Sequence, residues 1–297
     1  MLQFISQPYH QRFFRRRPAY RVCLVHPVGG GHQGVFEEFA ELITNSLQEL
    51  GMHATWSYNC IEHGATNIII GVHLLGLEWR DQLPSNTILI NTEQLGAVRS
   101  EWRRQILDWF SFDFRKVDYA QANVMAFTNA GVPNVKLLKL GFQKELARLK
   151  PQPKPTVDIL FYGTLCTRRE SILADMKAAG LNVKHLYGVY GKERDHWLTN
   201  TRLVLNMHYF PTQIFESIRA FYPVINGIPV LSELNPSQFE DNELTRAVIG
   251  VPYDNLVQKA VMLCKSPDEL LLHSKRALDI IRNTPQASFT AEAFDVQ

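Results

Sequence analysis

Several features that would assign a chain to a familiar class are missing from this sequence of 297 residues. No apolar run approaches the roughly 18 residues of a membrane-spanning helix. The motifs GxxxxGKS/T, HExxH and GxSxG do not occur, which excludes a Walker-type phosphate loop, a zincin metal site and the usual hydrolase nucleophile elbow. The 31 lysines and arginines nearly balance 29 acidic residues, and this balance does not indicate a nucleic-acid-binding protein.

Cysteine is scarce as well. The four cysteines stand far apart and form no CxxC pair, so free thiols in a reducing compartment are expected rather than disulfides or a zinc site. The N-terminus lacks the apolar core of a signal peptide, because Arg12 and Arg15–Arg17 follow only a weak apolar patch. A cytoplasmic protein is therefore the expectation.

The residues that are present form two patterns of alternating strands and helices, which flank the proline-rich segment Lys150–Pro155. Three prolines in five residues favour an extended linker, because proline is excluded from helix interiors and central strands. Strands separated by helices indicate parallel sheets. We therefore predict an α/β protein with two Rossmann-like domains facing a cleft. The predicted parts are a basic arm over 1–19, an N-terminal domain over 20–149, a linker over 150–156 and a C-terminal domain over 157–297.

The most informative segment runs from Arg202 to Glu233. Its pattern predicts a buried strand over 203–207, a helix that begins near Phe215 and Glu216, and a second strand over 228–232. In open α/β sheets the carboxyl ends of strands and the amino ends of helices hold the phosphates and ribose of a ligand. The alternative for Glu216 is an acidic residue that only favours the helix macrodipole.

Three further motifs of the C-terminal half fit the same edge of a sheet. Gly163 and Thr164 follow a strand and precede Arg168 and Arg169, which suits a diphosphate; the alternative is a strand end with ordinary surface arginines. Tyr187–Gly191 with Arg194 follows the next strand, and a helix-cap ion pair is the alternative there. His208 ends a third strand, and either a satisfied core histidine or a site residue fits that position.

The glycine-rich loop Gly29–Gly34 formally matches GxGxxG between the first strand and the first helix. A dinucleotide site also needs an acidic residue about 20 positions on, where this chain has Tyr58–Cys60. Three interpretations stay open. They are an NAD-dependent Rossmann oxidoreductase, a tight turn without further function, and a loop that faces the substrate.

Candidate acid–base residues occur in the N-terminal half. Glu93 follows one predicted strand and His73 ends another, and His32 lies in the glycine-rich loop. A further segment places three polar residues near another loop of this half, where we expect them to line the cleft. They are Asp118, Tyr119 and Asn123.

The motifs DILFYGTL-x-x-RR, YGVYG-x-ERD, LNMHYF and FESIR-x(6)-NGIPVLSE, taken together, resemble a group of bacterial GT-B-like glycosyltransferases of a short two-domain type. His26-Pro27 with His32, Asn67–His73 and Asn91–Gln94 match motifs of the N-terminal domain of that group. The resemblance covers roughly residues 20–285 and is more specific in the C-terminal half.

The resemblance implies transfer of a sugar from a nucleotide-sugar donor, without a metal or other cofactor. The sequence has no DxD triplet, which disfavours the metal-dependent GT-A type. Positive side chains would take the place of the metal. The implied catalytic residues are His32, Glu93 and His73. The implied donor-binding residues are Tyr162, Gly163, Thr164, Arg168, Arg169, Tyr190, Gly191, Arg194, Asn206, His208, Phe215, Glu216, Arg219, Ser232 and Glu233.

The acceptor stays open between a glycan, a lipid-linked glycan and a peptide. A non-catalytic module that binds nucleotide sugars is a further alternative. The basic arm and a stretch with Arg99, Arg103 and Arg104 suit peripheral contact with the inner face of a membrane, but a disordered tail and a solvated helix face are the favoured explanation.

Overall fold

A computed structural model describes residues 19–27, 34–97, 100–210, 214–235 and 242–296. The chain divides into two compact units. Unit 1 contains the residues up to Lys139 together with those from Gln286 onward, and unit 2 contains Leu140–Pro285.

Unit 1 is built on a parallel sheet of six strands in the order β2-β1-β3-β4-β5-β6. The middle strands are short apolar runs that are buried along their length, which is typical of parallel strands covered on both faces. The strands are β1 Tyr20–Leu24, β2 Ala54–Tyr58, β3 Thr66–Ile70, β4 Ile88–Asn91, β5 Arg115–Asp118 and β6 Val135–Leu137; the helices are α1 Glu37–Glu49, α2 Ser100–Ser111 and α3 Gln121–Asn129, with 3-10 helices at Val72–Leu74 and Leu77–Gln82.

Unit 2 is built on a parallel sheet of five strands in the order β8-β7-β9-β10-β11. The strands are β7 Val157–Tyr162, β8 Val183–Leu186, β9 Thr201–Asn206, β10 Val230–Glu233 and β11 Ile249–Val251. The helices are α4 Thr167–Ala178, α5 Gly191–Thr199, α6 Ser217–Ile225, α7 Glu243–Ala247, α8 Leu256–Cys264 and α9 Pro267–Arg282, with 3-10 helices at Lys144–Leu146 and Tyr253–Asn255. The two units together confirm the predicted α/β class with two Rossmann-like parts.

Each unit reverses its strand order at the same place. Counted within its own sheet, the first strand lies between the second and the third, so the chain changes direction between β1 and β3 in unit 1 and between β7 and β9 in unit 2. Ligands of doubly wound folds bind outside the carboxyl ends of the strands at this switch point. The topology therefore indicates the carboxyl edge of each sheet, at its switch point, as the expected position of a binding site.

The core of unit 2 explains why these strand ends are well fixed. Ile159 and Phe161 of β7 and Leu203 and Leu205 of β9 are fully buried among apolar side chains of α4 and α8. Full burial of such a side chain stabilises the fold by about 1.5–3 kcal/mol. The polar residues that follow these strands are consequently held on a rigid base.

The two units do not coincide with the predicted domains. The chain enters unit 2 at Leu140, and the proline-rich segment belongs to that unit. The Gln152 amide donates to the Thr199 carbonyl oxygen at 2.7 Å, and the Thr156 amide donates to the Asn200 side chain at 3.0 Å. Proline content indicates an extended backbone, and an extended backbone is compatible with packing on a domain surface.

The last helix, α10 (Gln286–Phe294), belongs to unit 1 instead of the C-terminal half. Thr290 and Ser46 of α1 share a hydrogen bond of 2.8 Å between buried hydroxyl groups. The Arg115 guanidinium donates to the Phe294 carbonyl oxygen at 2.7 Å. Helical periodicity predicts an apolar face but not the sheet against which that face packs, so the sequence pattern could not assign this helix.

Candidate functional site

The candidate site lies at the switch point of unit 2, where the carboxyl ends of β7, β9 and β10 meet the amino ends of α4 and α6. The strands contribute Gly163, the segment Asn206–His208 and Glu233, and the helices contribute two arginines and a glutamate–arginine pair. Five charged side chains form its centre. They are Arg168, Arg169, Glu216, Arg219 and Glu233.

Arg168 and Glu233 form a two-pronged ion pair. Both terminal nitrogens of the guanidinium donate to the carboxylate at 2.7 Å, and this pairing raises the pKa of Arg168. The guanidinium also lies 4.1 Å above the ring of Tyr253. Glu233 is 2% exposed and accepts a further hydrogen bond from the His208 amide at 3.0 Å. The pair therefore fixes the loop that follows β9.

Arg169 is 1% exposed and joins two strand ends. It donates to the carbonyl oxygens of Thr164, at 2.8 Å, and Met207, and to a Glu216 carboxylate oxygen at 2.7 Å. Burial, with a smaller contribution from the nearby Arg219 charge, lowers the pKa of Arg169 to about 10. The group stays protonated at neutral pH and keeps its positive charge at the site.

Glu216 immediately precedes the first residue of α6 and lies between two arginines. One carboxylate oxygen accepts from Arg169 and from the Tyr209 amide at 3.2 Å, and the other pairs with Arg219. Arg219 in turn donates to the Asn206 side-chain oxygen at 3.1 Å. The side chain of Glu216 is 16% exposed, so the carboxylate is held firmly without being sealed off.

Glycine is required at position 163 because the side chain of Arg219 lies close to the backbone there. The φ of Gly163, +137°, lies in a region that L side chains rarely adopt, and a Cβ at this position would lie 2.9 Å from a terminal nitrogen of Arg219. The guanidinium of Arg219 thus packs directly against the backbone that follows β7. The three arginines and two glutamates of the cluster leave one excess positive charge at the edge of the sheet where α6 begins, and this arrangement suits an anion.

His208 is the buried polar residue that ends β9. It is 1% exposed, and its Nδ1 atom lies 3.0 Å from the Ile214 carbonyl oxygen. Its Nε2 atom is buried without a hydrogen-bond partner among the residues that the structure describes. Burial lowers the pKa of His208, so the imidazole is neutral at neutral pH.

Other predicted donor-binding residues surround this centre in different ways. The Tyr162 hydroxyl donates to the Arg219 carbonyl oxygen at 2.7 Å, and Ser232, which is fully buried, accepts from Asn206 at 3.1 Å. Phe215 is buried and Thr164 is exposed. Tyr190 immediately precedes α5, whose first residue is Gly191.

The surroundings of Arg194 fit a local ion pair, which is the alternative to donor binding that the sequence offered for this residue. It is 6% exposed, its guanidinium lies 4.9 Å from the ring centre of Tyr222 and 5.8 Å from that of Tyr162, and it pairs with Asp195 at 3.2 Å. A local ion pair among aromatic rings accounts for these contacts.

In unit 1 the structure brings two of the three predicted acid–base residues together. His73 Nε2 lies 3.7 Å from a Glu93 carboxylate oxygen, and the His73 ring lies 4.8 Å from that of Trp102. Burial lowers the pKa of His73 to about 4. His32, the third residue, lies outside the described residues.

A buried amide network holds the turn at Glu93. Asp118 is fully buried and accepts from the Asn91 amide at 2.6 Å and from the Asn123 amide at 3.1 Å. The same two amide groups donate to the Glu93 carbonyl oxygen at 2.7 and 2.8 Å. The expectation that Asp118, Tyr119 and Asn123 line a cleft is therefore wrong: they are at most 8% exposed, and the polar groups of Asp118 and Asn123 are used inside unit 1.

The end of β2 does not offer the acidic residue that a dinucleotide site needs. Asn59 stands there with a φ of +45°, and its side chain exchanges two hydrogen bonds with the backbone of His26, at 2.8 and 2.7 Å. The nearby Glu37 instead accepts from the Tyr58 hydroxyl at 2.6 Å. This geometry counts against the NAD interpretation of the glycine-rich loop, of which residues 28–33 lie outside the described part.

Sequence reasoning missed the aromatic partners of the charged cluster. Tyr253 lies under Arg168 and donates from its hydroxyl to the Arg168 carbonyl oxygen at 2.7 Å, and Tyr209 lies 5.1 Å from the Arg169 guanidinium. Tyr253 is 85 residues from Arg168 in the sequence, and no local pattern links them. None of the helices that the structure describes has the length and apolarity needed to span a membrane.

The known proteins that this sequence matches are distant relatives. No family model matches the chain. It is 25% identical over 211 residues to uncharacterized protein L138 of Acanthamoeba polyphaga mimivirus and 28% identical over 182 residues to uncharacterized protein L140 of the same virus. These matches cover 69% and 58% of the chain but only 23% and 57% of the two viral proteins. The relatives are viral, and the predicted bacterial affiliation stays a prediction.

Solved structures are similar over nearly the whole chain. HepE of Anabaena, solved with UDP and glucose, superposes with a TM-score of 0.65 at 10% identity over 93% of this chain and 98% of its own. WaaG, a glycosyltransferase of lipopolysaccharide biosynthesis, gives 0.56 at 12% identity over 93% and 99%. The fold is that of the GT-B glycosyltransferases. At these identities the likeness establishes the fold and leaves the activity to be argued from the site.

Proposed function

We propose that this protein is a metal-independent glycosyltransferase that moves a sugar from a nucleotide-sugar donor to an acceptor. The observation that carries the proposal is the position of Glu216. Its carboxylate is held between Arg169 and Arg219 at the amino end of α6, on the edge of the sheet where the strand order reverses.

Unit 2 binds the donor in this proposal. A carboxylate has about four lone-pair sites, and Glu216 has three described partners, so its part-exposed oxygens keep room for a ribose hydroxyl. The excess positive charge of the cluster stabilises the diphosphate, which becomes the leaving group as the glycosidic bond breaks. These arginines take the role that a divalent metal has in other glycosyltransferases.

Unit 1 acts on the acceptor, and Glu93 is the proposed base. The side chain of Glu93 is 20% exposed, whereas that of His73 is 5% exposed, so Glu93 is the more accessible of the two to an acceptor hydroxyl. We assign His73 to positioning Glu93 and Glu93 to taking the proton from an acceptor hydroxyl. The acceptor class, the cytoplasmic location and contact with a membrane stay predictions.

The structures of other proteins support the choice of donor class. HepE was solved in complex with UDP and glucose, and a DNA-modifying β-glucosyltransferase, with a TM-score of 0.58, has uridine diphosphoglucose as its substrate. A nucleoside diphosphate is therefore the first ligand to test for this chain.

The test is calorimetry of the whole protein with UDP, GDP, TDP, CMP, ADP and NAD(H), without metal. We expect one nucleoside diphosphate to bind selectively, and we expect Glu216→Gln to weaken that binding at least about tenfold through loss of a charge-assisted hydrogen bond. Glu216→Asp checks that charge at this place matters. The matched control is Glu269→Gln, which breaks a part-exposed ion pair between Glu269 of α9 and Lys259 of α8. Binding of NAD(H) alone, insensitive to Glu216, would refute the proposal.

Turnover separates an enzyme from a non-catalytic module that binds the same ligand. Release of the free nucleoside diphosphate from the matching nucleotide sugar, even by slow hydrolysis, supports transfer chemistry. We expect Glu93→Gln to reduce the rate of transfer to an added acceptor while leaving nucleotide binding unchanged. A protein that binds but never turns over the sugar would be a binding module.

A further inference from the structure

His208 has a backbone that is fixed on both sides. Its amide donates to Glu233, and its carbonyl oxygen accepts from Arg168 at 2.9 Å and from Arg169 at 3.3 Å. The imidazole is therefore carried by the same ion pairs that organise the charged cluster. Its electrostatic neighbours are Glu216, Glu233 and Arg168, which belong to three different elements packed around the end of β9.

The hydrogen bond at Nδ1 decides the state of the ring. The Ile214 carbonyl oxygen can only accept, so Nδ1 carries the hydrogen and donates at 3.0 Å. Burial keeps the ring neutral by lowering the pKa of His208. In a neutral ring with hydrogen on Nδ1, the Nε2 atom has a lone pair and can only accept.

Nε2 is thus an acceptor without a donor. It is buried, the residue is 1% exposed, and no described residue donates to it. Buried polar atoms in native proteins are nearly always paired, and an exception at a candidate site calls for a ligand or another explanation. The carboxylates of the buried Glu233 and the part-exposed Glu216, by contrast, have donors within the protein.

The kind of ligand group follows from this chemistry. Diphosphate oxygens are acceptors at neutral pH, so they do not pair with the lone pair of Nε2. A hydroxyl group can donate to it. We propose that His208 determines specificity in the donor site by accepting a hydrogen bond from a hydroxyl of the bound nucleotide sugar, on either the ribose or the transferred sugar.

This inference rests on the proposed function and gives the arginine-rich cluster and His208 different roles. The cluster attracts the diphosphate by its positive charge, and His208 recognises a hydroxyl group through a directional hydrogen bond. A ligand that lacks the hydroxyl would still be attracted by the cluster but would leave Nε2 unpaired, which is the usual basis for rejecting such analogues.

The experiment measures binding of UDP, UDP-glucose and UDP without the ribose 2′-hydroxyl, or of the GDP set if the base screen selects guanine. The variant His208→Phe keeps the ring shape and removes the acceptor, and His208→Gln restores an oxygen that can accept. His273→Phe on α9 is the control for replacing a histidine elsewhere in unit 2. Thermal melting verifies that each variant is folded.

We expect His208→Phe to weaken binding of UDP-glucose about tenfold and His208→Gln to recover part of it. An equal loss for UDP, with no further loss for the 2′-deoxy ligand, assigns the hydroxyl to the ribose. A loss for UDP-glucose alone assigns it to the sugar. Both outcomes support the inference.

Two results would overturn it. One is tight binding of all three ligands that does not change in His208→Phe. The other is uptake of about one proton on binding at pH 7, detected by calorimetry in buffers of different ionisation enthalpy and absent in His208→Phe, because it would mean that a protonated ring contacts phosphate. If wild-type protein binds no nucleoside diphosphate, the proposed function itself fails, and the inference with it.

Discussion

The two units share a strand order but differ in the polar side chains that stand at the carboxyl ends of their strands. Unit 2 has a cluster of three arginines and two glutamates after β7, β9 and β10, whereas unit 1 has a network of amides around one buried carboxylate after β4 and β5. Both arrangements lie at the carboxyl ends of parallel strands. The topology fixes where a site can form, and the side chains that end the strands decide its chemistry.

The charged cluster of unit 2 and the amide network of unit 1 differ in net charge, and this difference suits them to different roles. The cluster of unit 2 keeps an excess positive charge, which suits an anionic ligand. In unit 1, Asp118 fixes Asn91 and Asn123, and their amides hold the turn that carries Glu93 next to His73. We infer that the first arrangement attracts a charged ligand and the second positions a proton acceptor.

The largest effect should come from removing the arginine that joins the strand ends of unit 2. Arg169→Met leaves Glu216 without its buried partner. It also removes the hydrogen bonds to the carbonyl oxygens of Thr164 and Met207, which have no other described donor. We expect a loss of about 3–5 kcal/mol in the free energy of unfolding, measured in urea.

The matched control for that variant is Arg202→Met, because Arg202 makes a part-exposed ion pair with Asp158 in the same sheet at 3.3 Å. A part-exposed pair contributes about 0–1 kcal/mol. If the two variants lose the same stability, the cluster does not hold the strand ends together.

The buried histidine of unit 1 should make stability depend on pH. His73 has a pKa of about 4 in the folded protein and about 6.5 when unfolded. Its contribution to stability is therefore complete above pH 6.5 and is lost as the pH falls towards 4, by about 2 kcal/mol between pH 7 and pH 5. Urea unfolding of wild type and His73→Gln at both pH values isolates this contribution, because the other titrating groups, including Asp118 with its raised pKa of about 7, are common to the two proteins. Between pH 7 and pH 5 the change in stability of the wild type should be less favourable than that of the variant by about 2 kcal/mol.

Glu93→Gln sharpens that measurement. Its carboxylate lies 3.7 Å from His73 and would favour a protonated ring, so its removal should steepen the loss of stability at low pH. An identical pH dependence in wild type and His73→Gln would show that burial of His73 does not control the titration.

The smallest effects concern one glycine in each unit. Gly163 and Gly71 have φ values of +137° and +88°, and a Cβ would lie 2.9 Å from Arg219 in the first case and 3.3 Å from the Val25 carbonyl oxygen in the second. We expect either alanine variant to cost about 1–2 kcal/mol in stability. Only Gly163→Ala should also weaken nucleotide binding, because it displaces a guanidinium of the cluster.

Gly180→Ala is the control for backbone strain alone, since Gly180 has a φ of +87° and a Cβ added there would meet no described atom within 4 Å. Calorimetry with the nucleoside diphosphate that the screen selects measures how far each glycine variant weakens nucleotide binding. Equal weakening of nucleotide binding by the Gly163 and Gly71 variants would remove the distinction between the two units.

Much of this arrangement follows from local sequence patterns. Buried apolar runs such as Thr66–Ile70 predict parallel strands, and the pairing of Gly163 with Arg168 and Arg169 predicts an anion site at the end of one of them. The pattern failed for Asp118, because a polar residue at a strand end can face solvent or a buried turn. It also could not place α10, whose apolar face fits more than one partner.

The sequence by itself determined the class of the fold, the order of most of its strands and helices, and the strand ends at which polar residues stand, because periodicity and glycine positions act over a few residues. Only the tertiary structure decided that Glu233 pairs with Arg168, that Tyr253 lies under that arginine and that His208 keeps an unpaired nitrogen among the described residues. Those contacts join residues up to 85 positions apart. They depend on how the strands are ordered in space, which no local pattern encodes.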